Sequence, residues 1–434
     1  MRGALPSIVV ALPFAAAAAL SVVGSWRIGV WINAGSATLL FLLACLLPWH
    51  LHLTSSPLRV GVTETHLVLL TSFVAMTTGW YSRREIPDFL AARSLNRRRV
   101  QVYHVACQGL IGAILLALLS DSPALTWLAL TIAVAAAAAV TGAVDGTAAT
   151  AAASRLLMLC GVGLMLALFG TLLLYLAAAA RGGGVLHIAC IFLLLGYGAL
   201  SGLVPLHAWL PGAASEGPAP GAIIVATLMV NAPLILFMRL ITVVVPNSGL
   251  PGAMLMALGL VTLLLGACCL LAQSDTRRTV AFAGMAQIGI VAFAIGLGGS
   301  AATSIAVLLV TLLALARASV LQCQDAAVSQ MSAVTRIAGM LVLALLPLFA
   351  LFLLAGPAVD RSPWLLLPLG AGVLLTSSAL LAQLPGQTSL QSAGTVAETI
   401  VLVPIWAQLG VVLLLAFAMP GPLADWFGAM VPAR

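Results

Sequence analysis

Apolar residues fall in blocks close to twenty residues long, and these blocks recur along the whole chain. Short stretches rich in Gly, Pro, Asp and Arg separate them. Each block is long enough to cross a hydrocarbon core of about 30 Å as a helix. Read against this punctuation, the pattern predicts about fourteen helices, with cores near 7–24, 31–49, 62–81, 102–120, 124–143, 157–178, 186–204, 221–244, 250–272, 279–297, 301–323, 337–356, 363–383 and 399–418. The first run, Ile8–Val23, leads directly into more of the same and reads as a span, not a cleavable leader.

Composition supports the pattern. Apolar residues make up 62% of the chain and charged residues only 7%, against about 25% charged in soluble domains. An all-α polytopic membrane protein is the expected class. The net charge of +7 suggests nucleic acid until the charges are located. Six cations lie in "SRREIPDFLAARSLNRRR" (Arg83, Arg84, Arg93, Arg97, Arg98, Arg99), between two predicted spans. There they set topology first and contact lipid or a partner second. With the N-terminus outside, eleven arginines fall in cytoplasmic loops and five outside, and the opposite orientation reverses that bias. The predicted location is a bacterial-type cytoplasmic membrane, N-terminus outside, with lipid and other membrane subunits as partners and no nucleic acid. Trp26, Trp49, Trp80, Trp127 and Trp364 sit near predicted helix ends, where interfacial anchors belong.

Two spans contain breaks. The seventh ends in "SGLVPLHAWLPGAASEGPAP", Ser201–Pro220, and the twelfth holds Pro347 and ends in "LAGP". Like features an odd number of spans apart run in opposite directions, so the two fit inverted five-helix repeats with broken helices. Proline kinks that only serve helix packing fit the same residues. On the repeat reading the chain divides into an N-terminal three-helix segment with its basic loop (1–100), a first repeat (101–245), a second repeat (246–384) and a C-terminal helix (385–434).

"GLVPLHAWLPGAASEGPAPGAIIVATLMVNAPLILFMRL" resembles the broken-helix region of the antiporter-like subunits of respiratory complex I and of energy-converting membrane-bound hydrogenases, component F type. The resemblance continues in register through "VTETHLVLLTSFVAMTTGWYSR", "LLALLSDSPALTWLAL", "AASRLLMLCGVGLMLALFGTLLLY" and "QSDTRRTVAFAGMAQIGIVAFAIGLG". It implies a proton half-channel pair built on a membrane glutamate, central lysines or histidines, and a charged residue on the second broken helix. A buried lysine can be tuned to release its proton, whereas arginine keeps its own. This chain has no lysine. By the resemblance, the glutamate position of the fifth helix falls at Thr131, the lysine position before the seventh-helix break at Leu200, the aspartate after "WLP" at Gly212, and the acidic position after the twelfth helix at Ala355. The sixth- and eleventh-helix lysines correspond to Arg155 and Arg317. His207, Trp209, Asn231 and Arg239 match the family.

The candidate ion-path or interior polar residues are therefore Arg155, His207, Asn231, Arg239 and Arg317. Arg239 and Arg317 lie within spans, at a cost of about 2.5–3.5 kcal/mol each at a helix centre. Snorkelling relieves that cost more easily for Arg239 than for Arg317. His207 either titrates near neutral pH or caps broken-helix backbone. The remaining chemistry is sparse. Cys45, Cys107, Cys160, Cys190, Cys268, Cys269 and Cys323 lie in apolar runs without CxxC spacing and read as small hydrophobes. His66 and His104 fall at opposite faces, which argues against a haem pair, and His50 and His52 lack further metal ligands. No cofactor, metal or catalytic residue is expected, and any redox chemistry belongs to other subunits.

Three functions are compatible with this reading. The first is a proton-conducting subunit of a complex I-like or hydrogenase-like oxidoreductase. The second is a subunit of such a complex with a degenerate proton path and a structural or coupling role. The third is a membrane partner in ion-driven inorganic-carbon uptake or cation/proton antiport. The lost lysines and glutamate favour the second.

Overall fold

The computed structural model describes residues 4–51, 54–55, 58–91, 95–180, 183–244, 249–324, 330–384, 396–419 and 421–430. Arg2, His52, Arg93, Arg181 and Arg434 lie outside them. The described chain is helical except for one small antiparallel hairpin, β1 (Thr54–Ser55) with β2 (Leu58–Arg59). It forms two compact units, residues 1–201 with 206–235, and residues 202–205 with 236–434.

The first unit contains α1 (Ala4–Val22), α2 (Trp26–Ala44), α3 (Val62–Ala91), α4 (Arg97–Leu119), α5 (Pro123–Thr141), α6 (Thr147–Ala180), α7 (Gly183–Ser201), α8 (Leu210–Glu216) and α9 (Ala219–Ile223). A six-residue π-helix, Ile224–Met229, follows and leads into α10 (Ala232–Val244). Short connections make sequence neighbours pack in pairs. α4 packs against α1 and α5 and is buried along most of its length. Its Gln108 donates to Asn33 Oδ1 at 2.8 Å and Ser36 Oγ at 2.9 Å, tying α4 to α2. α6 and α7 approach until their backbones touch: a Cβ on Gly196 would stand 2.6 Å from the Gly163 carbonyl oxygen. Association of membrane helices rests on such packing, because lipid is as apolar as the side chains.

The second unit contains α11 (Leu250–Leu271), α12 (Thr276–Leu297), α13 (Gly299–Gln324), α14 (Gln330–Arg361), α15 (Leu366–Ala382), α16 (Val396–Phe417) and α17 (Gly421–Gly428). α11 and α12 meet through Gly259 and Gly289, where a Cβ on either would lie 2.6 Å from the other's carbonyl oxygen. α16 docks on α13 through Leu402, Ile405 and Leu409 around Cys323, and through the Ser319 hydroxyl, 2.9 Å from Gln408 Oε1.

Twelve helices among the described residues are long and apolar enough to cross a membrane, or thirteen with the pair Leu402–Phe417 and Gly421–Gly428, bent by 80°. The chain is a multi-pass membrane protein. The expected count of about fourteen is thus approximate; α3 is the difference, because Glu64, His66 and its threonines dilute the apolar run. The basic stretch is also less of a loop than expected. α3 continues through Arg83, Arg84 and Pro87 to Ala91, and α4 begins at Arg97, where the Asn96 side chain accepts the Arg99 N–H at 2.9 Å. Arg336, placed in a loop by the pattern, is 9% exposed on α14.

The expected break in the twelfth span is absent. α14 runs unbroken from Gln330 to Arg361 with Pro347 and Pro357 inside it. Pro347 has no N–H for the carbonyl of Leu343, four residues earlier. That carbonyl instead accepts from Gln287 Nε2 of α12 at 3.3 Å, and both residues are fully buried. A neighbouring helix serves the freed group, so the helix need not open.

Candidate functional site

The seventh span is broken where the sequence places it. α7 ends at Ser201, and Gly202 follows at φ 78°, a left-handed conformation that glycine adopts without Cβ strain. The last carbonyls of α7 have no intrahelical donor. Trp209, 0% exposed, donates its indole Nε1–H to the Ala199 carbonyl at 2.8 Å and closes one of them. The tryptophan of "HAW" in the Ser201–Pro220 stretch thus has a structural role. Within the second unit, the Val204 N–H donates to Thr262 Oγ1 of α11 at 3.1 Å. Beyond the break, α8 starts with the Leu210 N–H on the His207 carbonyl at 3.1 Å, so His207 stands at the entry to that short helix, half-buried.

The π-helix widens the backbone just before Asn231. Such wide turns are rare and concentrate at functional sites. Asn231 is 7% exposed, and its amide nitrogen has no partner among the described residues; the Ser201 hydroxyl, 0% exposed, has none either. Two matched or adjacent polar groups of the first unit are therefore buried with hydrogen-bonding capacity left over. Arg239 is half-buried on α10.

The positions to which the resemblance assigns charged residues hold side chains that do not titrate. Thr131 is half-buried and donates its hydroxyl to the Trp127 carbonyl of its own helix at 2.9 Å. Leu200 is 0% exposed on α7, with its Cδ1 against Gly163 of α6. Gly212 turns α8 toward Ala152 of α6, and Ala355 is a half-buried residue of the unbroken α14. Arg155, expected in the interior, lies on the exposed face of α6.

Arg317 is in the interior. It is 3% exposed, its Nε–H reaches the Leu313 carbonyl at 3.1 Å, and its side chain lies against Gly284 of α12. A Cβ at Gly284 would stand 2.9 Å from an Arg317 terminal nitrogen, so this glycine gives the guanidinium its room. Gln287 follows one turn later on the same helix, and its Oε1 has no partner among the described residues. Along α12, one turn apart, Gly284 meets Arg317 of α13 and Gln287 meets the Leu343 carbonyl of α14. Gly284 and Gln287 were not among the candidates. The available signal was one amide and two glycines in the otherwise apolar "AFAGMAQIGIV", which by itself does not say what they face.

Comparison with known proteins places this geometry. The chain is 27% identical to the hydrogenase-4 component F homolog of Methylacidiphilum infernorum (isolate V4), over 96% of this chain and 97% of that protein. Its fold is similar to a chain of the Mrp complex from Dietzia sp. DQ12-45-1b, with a TM-score of 0.83 at 14% identity, covering 99% of this chain and 96% of that one. It is also similar to a chain of respiratory complex I from Thermus thermophilus, with a TM-score of 0.78 at 17% identity, covering 99% and 97%. Residues 113–359, more than half of the chain and spanning both the broken seventh helix and Arg317, match the NADH:quinone oxidoreductase/Mrp antiporter transmembrane family, and the chain belongs to that family.

Proposed function

We propose that this chain is an antiporter-like membrane subunit of a complex I-like or hydrogenase-like ion-translocating assembly, with a degenerate proton path and a structural or coupling role. Family membership and the full-length likeness to a hydrogenase-4 component F homolog support the assembly. The observation that carries the degenerate path is Leu200, fully buried against α6 where the resemblance expects a titratable lysine. Thr131, whose hydroxyl is bonded to its own helix, supports the same reading. Arg317 is a fixed charge, and like-charge repulsion in a low-dielectric interior opposes a proton beside it. The division into repeats at 101–245 and 246–384, the cytoplasmic-membrane location and the outside N-terminus belong to this proposal.

The test is proton flux into liposomes holding the purified chain, driven by a potassium diffusion potential and read by an internal pH dye. The expected flux equals that of empty vesicles. Flux well above them that disappears in His207→Phe would replace this reading with active conduction centred on His207.

A further inference from the structure

One end of the first unit gathers arginine and tryptophan around a groove. The turn between α1 and α2 (Gly24, Ser25), the first residues of α2 (Trp26, Arg27) and the first residue of α4 (Arg97) enclose about 530 Å³. The groove is cationic on two sides, from two different helices. The carbonyls that end α1 do not oppose this charge, because Gln101 Nε2 already occupies those of Leu20 and Ser21, at 3.1 and 2.7 Å. Arg27 lies 5.5 Å from the Trp26 ring centroid. Next to the groove, Arg83 of α3 stacks on Trp31 at 3.6 Å and on Trp80 at 4.7 Å, and Trp80 is held by its indole N–H on Thr38 Oγ1 at 3.0 Å. Among the described residues no carboxylate pairs with Arg27, Arg83 or Arg97.

From the groove an apolar strip descends along one face of α2. Ile28, Trp31, Leu39 and Leu42 are 54%, 57%, 46% and 58% exposed, and Gly35 completes the helical spacing between them. From Ile28 to Leu39 the helix rises about 16 Å, the depth of one leaflet of a hydrocarbon core of about 30 Å. A basic recess roomy enough for a phospholipid headgroup, tryptophans at its edge and a leaflet-long apolar strip below it match the three parts of one molecule in order. We propose that this groove binds an anionic phospholipid, with the headgroup phosphate between Arg27 and Arg97 and the acyl chains along Ile28–Leu42 of α2. Bidentate guanidinium–phosphate hydrogen bonds fix the headgroup, and the exposed tryptophans hold it at the interface.

The test compares phosphatidylglycerol with phosphatidylcholine retained on the full-length chain by native mass spectrometry, in detergent and in its purified complex. Each arginine near an anionic lipid surface is worth about a fivefold preference. Removing both in R27Q/R97Q should therefore lower phosphatidylglycerol retention about thirtyfold, whereas R278Q, a control at an exposed arginine of another helix, leaves it unchanged. R27K/R97K, which keeps the charge and loses the planar fork, should keep only part of the preference. Equal retention of the two lipids, or a preference that survives R27Q/R97Q, would overturn the site. So would a preference seen in the isolated chain and lost in the complex, which would assign the groove to a partner subunit. Displacement by millimolar inorganic phosphate at constant ionic strength, with no dependence on acyl chains, would assign it to free phosphate.

Discussion

Replacing Gln287 by methionine removes the amide that serves the Leu343 carbonyl and keeps nearly the same side-chain volume. The carbonyl cannot recover its usual donor, because the residue four positions later is Pro347. A buried acceptor left without a partner costs about 1–3 kcal/mol. Part of that returns, since Gln287 Oε1 is itself buried without a partner among the described residues and leaves with the substitution. The 3.3 Å separation also marks a bond at the long end of the range. The net loss expected for Gln287→Met is therefore about 1–2 kcal/mol. Pro347→Ala restores an N–H at position 347 and gives the carbonyl an intrahelical donor. In that background Gln287→Met should cost close to nothing. The coupling energy of the cycle is then about 1–2 kcal/mol, well above the few tenths expected of independent sites. Reversible unfolding of all four variants in mixed micelles measures it. Equal cost of Gln287→Met in the proline and alanine backgrounds would refute the claim that Gln287 keeps α14 whole.

Trp209→Phe keeps the buried ring but removes the N–H on the Ala199 carbonyl, and it should destabilise the chain by about 1–3 kcal/mol in the same unfolding assay; an unchanged stability would show that the end of α7 needs no cap. Asn96→Cys, between α3 and α4, should react with a membrane-impermeant maleimide in inside-out vesicles and not in intact cells, and the reverse pattern would invert the proposed orientation.

The positions of most helices were legible because a hydrocarbon core imposes one length and one polarity on anything that crosses it. The seventh break was legible too: Gly202, free to take a positive φ, and Pro205, without an N–H, fall three residues apart at the end of the apolar run. The tertiary structure decided what the same local signals could not. Pro347 carries the same local signal as Pro205, yet α14 continues, because Gln287 arrives from a helix some sixty positions earlier to take the orphaned carbonyl. Arg155 and Arg317 look alike along the chain, each an arginine inside or beside an apolar run. One lies exposed on α6, and the other is buried where Gly284 leaves space. The end of α3 was misread as loop because its charges suggest solvent, while the helix continues with Arg83 stacked on Trp31 and Trp80. The signal for a backbone break lies in the residues that would make it, but whether the helix opens there depends on its neighbours. Whether a polar group is satisfied, and whether a charge is buried, depends on which other helix comes to lie beside it.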